Sequence, residues 1–553
     1  MRRLIIVLAV FFAAAISAGA AGDGFLKGKI LKIDKEVIAE RGGSNMSMSL
    51  SGISTSNTIS LLDVERALDK AAKDDKIAMV YINYDHFSAG ISSMEEIRHY
   101  LGKIRAAGKP VIAWGASLSN ASYYLASVSD RVFLHPKGGG SLTGLGSTQF
   151  FVKDLLDTLG VGVQLIRHGK YKSAGEMYIR NDISPENRLQ YEEMMGSIWS
   201  TVTEAIAISR GKTPAEINGI ADNLRTGTAQ TWLDLGLVDG LKYRDEMEQY
   251  LCHLFGTTDP DDVKTVSLRK YVSNLDKGSA SRKVAVIYAS GEIVRSGSGV
   301  AGEKLAAVIA KVRADSTIKA VVFRVNSPGG EVVAADMIRR EIELLMKDKP
   351  VFASYGAYAA SGGYLISAGC NRIFTDNTTL TGSIGVFGMI PNLGNAIRKN
   401  LKVNPVTIGT NAHSGMGSGM EPLSPEEEAW YQEEIEGIYD DFVGVVANGR
   451  NMSKEAVDEI AQGRVWTGRD ALGIGLADEV APLYDVVIKA AESLGPMKTL
   501  PRIETYPVKK KNSFPLSSLG DEGDKDSPLV ILKKQVTEPG FKAIARMPYV
   551  TID

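Results

Sequence analysis

Three short stretches of this chain hold residue types able to do covalent chemistry. Ser361 sits in Ala359-Ala360-Ser361-Gly362-Gly363-Tyr364, between an apolar run that reads as a strand and a segment that reads as a helix. A serine there meets the free N–H groups of a helix start, which favour a developing negative charge. The glycines leave its hydroxyl open to approach. Asn326-Ser327-Pro328-Gly329-Gly330 follows another buried run, and Pro before Gly-Gly makes a sharp turn that exposes backbone N–H groups. The N–H of Gly330 facing that of Gly362 would form a two-donor oxyanion hole. The third stretch is Lys170-Tyr171-Lys172-Ser173-Ala174-Gly175-Glu176. A lysine of ordinary pKa, about 10.4, is a useless base at neutral pH. Burial against apolar surface lowers that by about 3–5 units, and a neutral lysine can then take a serine proton. Each stretch also has a plain structural reading: a helix-capping serine, a strand-to-helix turn, a solvated basic loop.

The elements that must position these residues occur twice, about 240 residues apart. Lys109-Pro110-Val111 opens one copy of a segment and Lys349-Pro350-Val351 the other. Tyr124-Leu125 falls on Tyr364-Leu365, and Arg131 on Arg372 with one residue of slip. The copies differ where chemistry would be. Ser361 meets Ala121, Lys172 meets Ala412, and the Asn83–Phe87 stretch lacks Pro-Gly-Gly. Reciprocal loss implies that one serine and one lysine, far apart in sequence, work as a pair at one site between the repeats. In both copies short apolar runs alternate with helical patterns, which predicts α/β domains of stacked β-α-β units with parallel strands. Each copy then carries a long helical arm opened by Ser-Pro-Glu, at Ser184 and Ser424, a well-formed helix start. The arms are expected to embrace the sister domain or a neighbouring protomer.

At 553 residues more than one domain is expected. The boundaries read as 1–22, a signal peptide or N-terminal membrane anchor; 23–280, a domain supplying the lysine; 281–500, a domain supplying the serine; and 501–553, a linker and tail, poorly ordered after about Leu500. Arg2-Arg3 precede the uncharged stretch Leu4–Gly22, the layout of an export signal and about the minimum that spans a bilayer. The arginine pair places the rest outside the cytoplasm. A net charge of −2 argues against nucleic acid as a partner. The two cysteines, Cys252 and Cys370, and six scattered histidines show no metal-ligand spacing, so no metal or other cofactor is expected.

Asn-Ser-Pro-Gly-Gly, Ala-Ser-Gly-Gly-Tyr and Thr381-Gly382-Ser383-Ile384-Gly385, together with Tyr-Lys-Ser-Ala-Gly-Glu, resemble the long, duplicated form of bacterial signal peptide peptidase A, or protease IV. The resemblance covers about Ile77 to Glu479. It implies two tandem domains of the crotonase and Clp-protease type, each a β-α-β spiral. It implies a serine endopeptidase with Ser361 as nucleophile, Lys172 as base and Ser383 positioning the lysine amine. It also implies a membrane-bound homotetramer, on the periplasmic side of the bacterial inner membrane, that degrades released signal peptides. Strand alternation would point Lys170 and Lys172 to the same side, so geometry leaves both open and the motif favours Lys172. Gly175 and Met177-Tyr178 depart from the familiar pattern of an apolar residue and Pro-Phe, a difference of loop geometry. Two other classes fit the same fold. One is an acyl-CoA hydratase or isomerase, which would need acidic catalytic groups; the other is a non-catalytic membrane scaffold.

Overall fold

The computed structural model describes residues 25–49, 52–297, 299–508 and 544–547. The apolar segment Leu4–Gly22 lies outside them. Among the described residues no helix is long and apolar enough to cross a membrane.

Each repeat builds a mainly parallel sheet, because its apolar runs are joined by crossover helices; in the second, the edge strand Val465–Thr467 pairs antiparallel. In the first, the strands run in the order Thr265–Ser267, Lys29–Ile33, Ile77–Asn83, Val111–Leu118, Arg131–Gly140 and Gly240–Leu241. In the second, Ile318–Ser327 and Val351–Ala360 occupy the central places of Ile77–Asn83 and Val111–Leu118, with Ser279–Ser290 beside them. Pro501–Tyr506 corrects the reading of a poorly ordered stretch after Leu500, since it pairs in parallel with Ser279–Ser290 as the edge strand. Its alternating Ile503 and Thr505 suit an edge, where the Lys- and Ser-rich sequence downstream obscured the signal.

The shared Lys-Pro-Val has a structural job in both copies. Lys109 Nζ donates to Ala71 O and Asp74 O, and Lys349 Nζ to Val312 O and Asp315 O. An ammonium on the last carbonyls of an earlier helix, Leu61–Lys73 in one copy and Gly302–Ala314 in the other, satisfies acceptors that the helix leaves open.

The two halves are interlocked rather than merely joined. The helix Leu483–Glu492, from the end of the second repeat, buries Leu483, Tyr484 and Val487 in a core cluster that residues of both repeats share. Arg324, fully buried, donates to Glu40 and Glu96 of the first repeat at 2.7–3.0 Å. Burial alone would raise the Glu96 pKa, but Arg324 holds it below the ordinary value. Glu65 and Asp376 beside it are pushed up, first by burial and then by the Glu96 charge. The arms clasp reciprocally. From the first (Pro185–Arg210), Gln190 Oε1 accepts from Val465 N–H at 2.8 Å and Ser197 Oγ lies 2.8 Å from Thr467 Oγ1. From the second (Pro425–Arg450), Glu436 reaches His168 at 2.5 Å.

A third sheet crosses the seam. Gly162–His168 of the first repeat pairs antiparallel with Val386–Asn392 of the second, with His168 opposite Val386. Lys172 follows His168 by four residues and Ser383 precedes Val386 by three, so this register carries both to one place.

Candidate active site

Ser361 ends the strand Val351–Ala360 in a strained turn, at φ 56° and ψ −119°. Such a conformation costs a non-glycine residue on the order of 1–3 kcal/mol and is held only by its surroundings. Here the Ser361 N–H donates to Gly382 O at 2.8 Å, and Ser361 O accepts from Leu365 N–H at 2.9 Å. The side chain does not cap the helix that follows. That helix, Gly362–Leu365, is a single turn, so the expected dipole effect is small and only the local N–H of Gly362 is at issue. Gly363 lets it lie against the Pro-Gly-Gly turn, since a Cβ there would stand 2.5 Å from Ser327 O. Gly329 N–H is engaged by Ser327 Oγ at 3.2 Å. Gly330, at φ +155°, lies in the short strand Gly329–Glu331, where a Cβ would fall 1.9 Å from Ile293 O.

Lys172 arrives from the other repeat. After His168 the chain turns, with Lys172 N–H donating to Gly169 O at 3.1 Å and Arg167 Nη1 to Lys172 O at 2.7 Å. This turn removes the strand alternation that left two lysines open. Lys170 is exposed, with its Nζ over the Tyr171 ring, while Lys172 is buried. Lys172 Nζ lies 2.8 Å from Ser361 Oγ, 3.0 Å from Ser383 Oγ and 3.1 Å from Ser383 O. All three residues are fully buried. Burial is the sole cause that pushes the Lys172 pKa well below that of an ordinary lysine, with no carboxylate beside it to restore the charge. A neutral amine has two N–H donors and one lone pair. Ser383 O and Oγ can take the two donors, and the lone pair is left for the Ser361 hydroxyl.

Among its described residues the first repeat has no such site, but its lost half differs from the sequence alignment. Tyr123 OH donates to Leu237 O as Tyr364 OH does to Leu476 O. This pairs Tyr123, not Tyr124, with Tyr364, and sets Asn120 rather than Ala121 at the place of Ser361. The slip between copies therefore falls before the tyrosine, where sequence alone had no anchor. Asn120 is spent on the loop, donating to Gly144 O and accepting from Thr143 N–H. In place of the Pro-Gly-Gly turn, Tyr84–His86 forms a 3-10 turn whose Asp85 accepts from Ala116 and Ser117 N–H. Ala412 is exposed in a turn.

Comparison with known proteins agrees with this reciprocal architecture. The model of peptidase family S49 matches residues 103–255 and again 343–495. The chain belongs to peptidase family S49. Protease 4 of Haemophilus influenzae is 34% identical over 463 residues, covering 80% of this chain and 74% of that protein. Protease 4 of Salmonella typhi is 36% identical over 446 residues, covering 78% and 72%. The chloroplastic serine protease SPPA of Arabidopsis thaliana is 32% identical over 471 residues, covering 82% and 69%. The chain is thus a serine peptidase of the duplicated protease IV form, built as two tandem β-α-β domains with long helical arms.

Two features of this S49 site were missed in the sequence. Glu176, the last residue of the lysine motif, is buried and accepts from Asn187 Nδ2 at 2.7 Å and Ser184 N–H at 3.4 Å, which ties the lysine loop to the start of the first arm. The turn Gln462-Gly463-Arg464 joins the two sides of the site. Gln462 O accepts from Tyr171 N–H, Gly463 N–H donates to Ile384 O, and Arg464 O accepts from Ser383 N–H at 2.7 Å. A Cβ on Gly463 would stand 2.7 Å from Lys172 Cβ. The signal was in the duplication. At the offset that relates Leu237 to Leu476, Gly463 corresponds to Leu224, which holds a positive φ of 47° at an exposed site. Only the copy that packs against the lysine uses glycine.

Proposed function

We propose that this S49 peptidase is an endopeptidase working through a Ser361–Lys172 dyad. The observation that carries the reading is the 2.8 Å approach of Lys172 Nζ to Ser361 Oγ where no carboxylate competes. Lys172, neutral at rest, takes the hydroxyl proton as Ser361 attacks the peptide carbonyl. Ser383 directs the amine through its hydroxyl and carbonyl. The oxyanion is stabilised by the N–H groups of Gly330 and Gly362. The ammonium of Lys172 then protonates the leaving amine, and water repeats the sequence to release the acyl group. Among the described residues no carboxylate acts on Lys172 beside Ser361, which disfavours the hydratase alternative, and the buried lysine held toward its neutral form disfavours a scaffold.

The substrates of this reading are extended, apolar peptides such as released signal peptides. It sets the domains on the extracytoplasmic side of a bacterial inner membrane, with residues 1–22 as export signal or anchor and the chain in a homo-oligomer, a tetramer. Hydrolysis of a fluorogenic apolar peptide should vanish in Ser361→Ala and in Lys172→Ala. Substantial turnover by either purified variant would refute the dyad. Reaction of Ser361 with a serine-directed phosphonate separates the enzyme from a scaffold, which would not be labelled.

A further inference from the structure

The lysine loop is also held from behind, by side chains that the dyad does not touch. His168, at the end of the strand Gly162–His168, stacks on the ring of Tyr439 with centroids 3.6 Å apart and planes 19° from parallel. Its Nδ1 lies 2.5 Å from Glu436 Oε2. Glu436 and Tyr439 are three residues apart on the second arm and so share one face. From the helix Lys454–Ile460, Asp458 Oδ1 accepts from Tyr439 OH and, at 2.6 Å, from Gln462 Nε2. A carboxylate offers only acceptors, so it fixes which end of the Gln462 amide faces it. The remaining N–H of that amide points to Tyr439 OH at 3.4 Å and His168 Nε2 at 3.5 Å. Nε2 therefore keeps its lone pair, and Nδ1 carries the proton donated to Glu436.

This cluster reaches the active site through the backbone. Gln462 holds a positive φ of 53°, a conformation that a non-glycine residue keeps only under outside support. Its carbonyl accepts from Tyr171 N–H at 2.9 Å, one residue before Lys172. Two residues on, Arg464 O accepts from Ser383 N–H. One turn thus fixes both the lysine and the serine that faces its amine. His168 enters the same loop from its other end, four residues before Lys172. The first repeat keeps only the brace between arm and helix. At the offset that relates Ser184 to Ser424, Trp199 and Asn218 stand for Tyr439 and Asp458, and Trp199 Nε1 donates to Asn218 Oδ1 at 2.7 Å. Among the described residues, the ring of the second arm alone carries an imidazole from the lysine strand.

We propose that His168, stacked on Tyr439, is a positioning residue: the pair braces the turn Gln462-Gly463-Arg464 and so sets the approach of Lys172 Nζ to Ser361 Oγ. This rests on the dyad reading for what the lysine does. A misplacement of about 1 Å at a reacting group costs about 100-fold in rate. Loosening the turn also admits water to Lys172. Burial holds that amine toward its neutral form, so hydration returns it toward the ammonium and moves the acid limb of the pH–rate profile to higher pH. The charged groups on the surrounding elements are engaged elsewhere. Arg167 is on Lys172 O, Glu176 on Asn187 and Arg464 on Glu193, while Glu436 and Asp458 belong to the cluster itself and Lys170 is exposed. Water, not a counter-charge, is what a looser turn supplies.

The test measures kcat and KM of the full-length protein on an apolar fluorogenic peptide across pH. His168→Ala should lower kcat about 10- to 100-fold with KM changed less than about twofold, and should move the acid limb to higher pH. His168→Phe keeps a ring on Tyr439 and should recover kcat to within about fivefold of wild type. Tyr439→Leu should match His168→Ala, and the double variant should be no slower than either single one, because the two act as a unit. Unchanged kcat and an unmoved acid limb in His168→Ala would overturn the positioning role. So would a loss carried by KM, a His168→Phe protein as slow as His168→Ala, or single losses that multiply in the double variant. Failure of the dyad itself is read separately, as turnover by Lys172→Ala.

Discussion

Replacing Ser383 with alanine isolates the hydroxyl that faces the lysine while keeping its carbonyl partner. In the resting site Ser383 Oγ stands 3.0 Å from Lys172 Nζ, and Ser383 O 3.1 Å. A hydrogen bond between neutral groups contributes about 0.5–1.5 kcal/mol, and one to a charged group about 1.5–3. In the proposed dyad Lys172 passes from amine to ammonium, so this bond would strengthen toward the transition state. The difference, about 1–2 kcal/mol, is what Ser383→Ala removes from kcat/KM, a loss of about 5- to 30-fold. The same change destabilises the ammonium more than the amine. The acid limb of the pH–rate profile, set by a lysine already held below its ordinary pKa by burial, should therefore move further toward acid. The measurement is kcat/KM on an apolar peptide across pH. A loss as complete as in Ser361→Ala would refute a modest orienting role for the Ser383 hydroxyl. An acid limb displaced upward would mean that the hydroxyl does not stabilise the charged lysine.

Lys172→Met tests the protonation state through stability. The unfolded chain binds a proton on Lys172 below about 10.4, whereas the folded site, desolvating the amine, releases it at lower pH. The unfolded state thus binds more protons in between, and wild-type stability falls as pH drops, by about 1.4 kcal/mol per pH unit. Thermal midpoints should show the methionine variant gaining on wild type from pH 9 downward; parallel pH dependence would refute a neutral lysine. Gly463→Ala would force a Cβ to 2.7 Å from Lys172 Cβ, so kcat should fall more than about tenfold, equal to about 1.4 kcal/mol, while Leu224→Ala at the matching exposed turn leaves the rate unchanged. Arg324→Met strands buried Glu96, and should cost about 3–5 kcal/mol in denaturant titration, with partial rescue by adding Glu96→Gln.

Much of the site was legible because its parts are local motifs. Ser361 with its glycines, the Pro-Gly-Gly turn and the lysine loop each announce a backbone geometry or a reactive group within a few residues. The duplication then showed that serine and lysine belong to different copies. Periodicity carried the parallel strands and the two arms for the same reason, since both depend on side-chain spacing along one element. Sequence failed where the deciding contact lies far along the chain. Lys170 and Lys172 are equivalent as a strand, and only the turn closed by Gly169 O and Gln462 O, nearly 300 residues on, buries one and leaves the other in water. The alignment of Ala121 with Ser361 slipped because its anchor is a hydrogen bond from Tyr123 to Leu237.

The chemistry available to this protein is thus written in its residue types: a hydroxyl, an amine, and glycines at sharp turns of the backbone. Tertiary structure alone decides that the amine is held toward its neutral form. A lysine becomes neutral only when water is removed from around it, and that burial exists only where His168 pairs with Val386 and the two repeats close over Lys172.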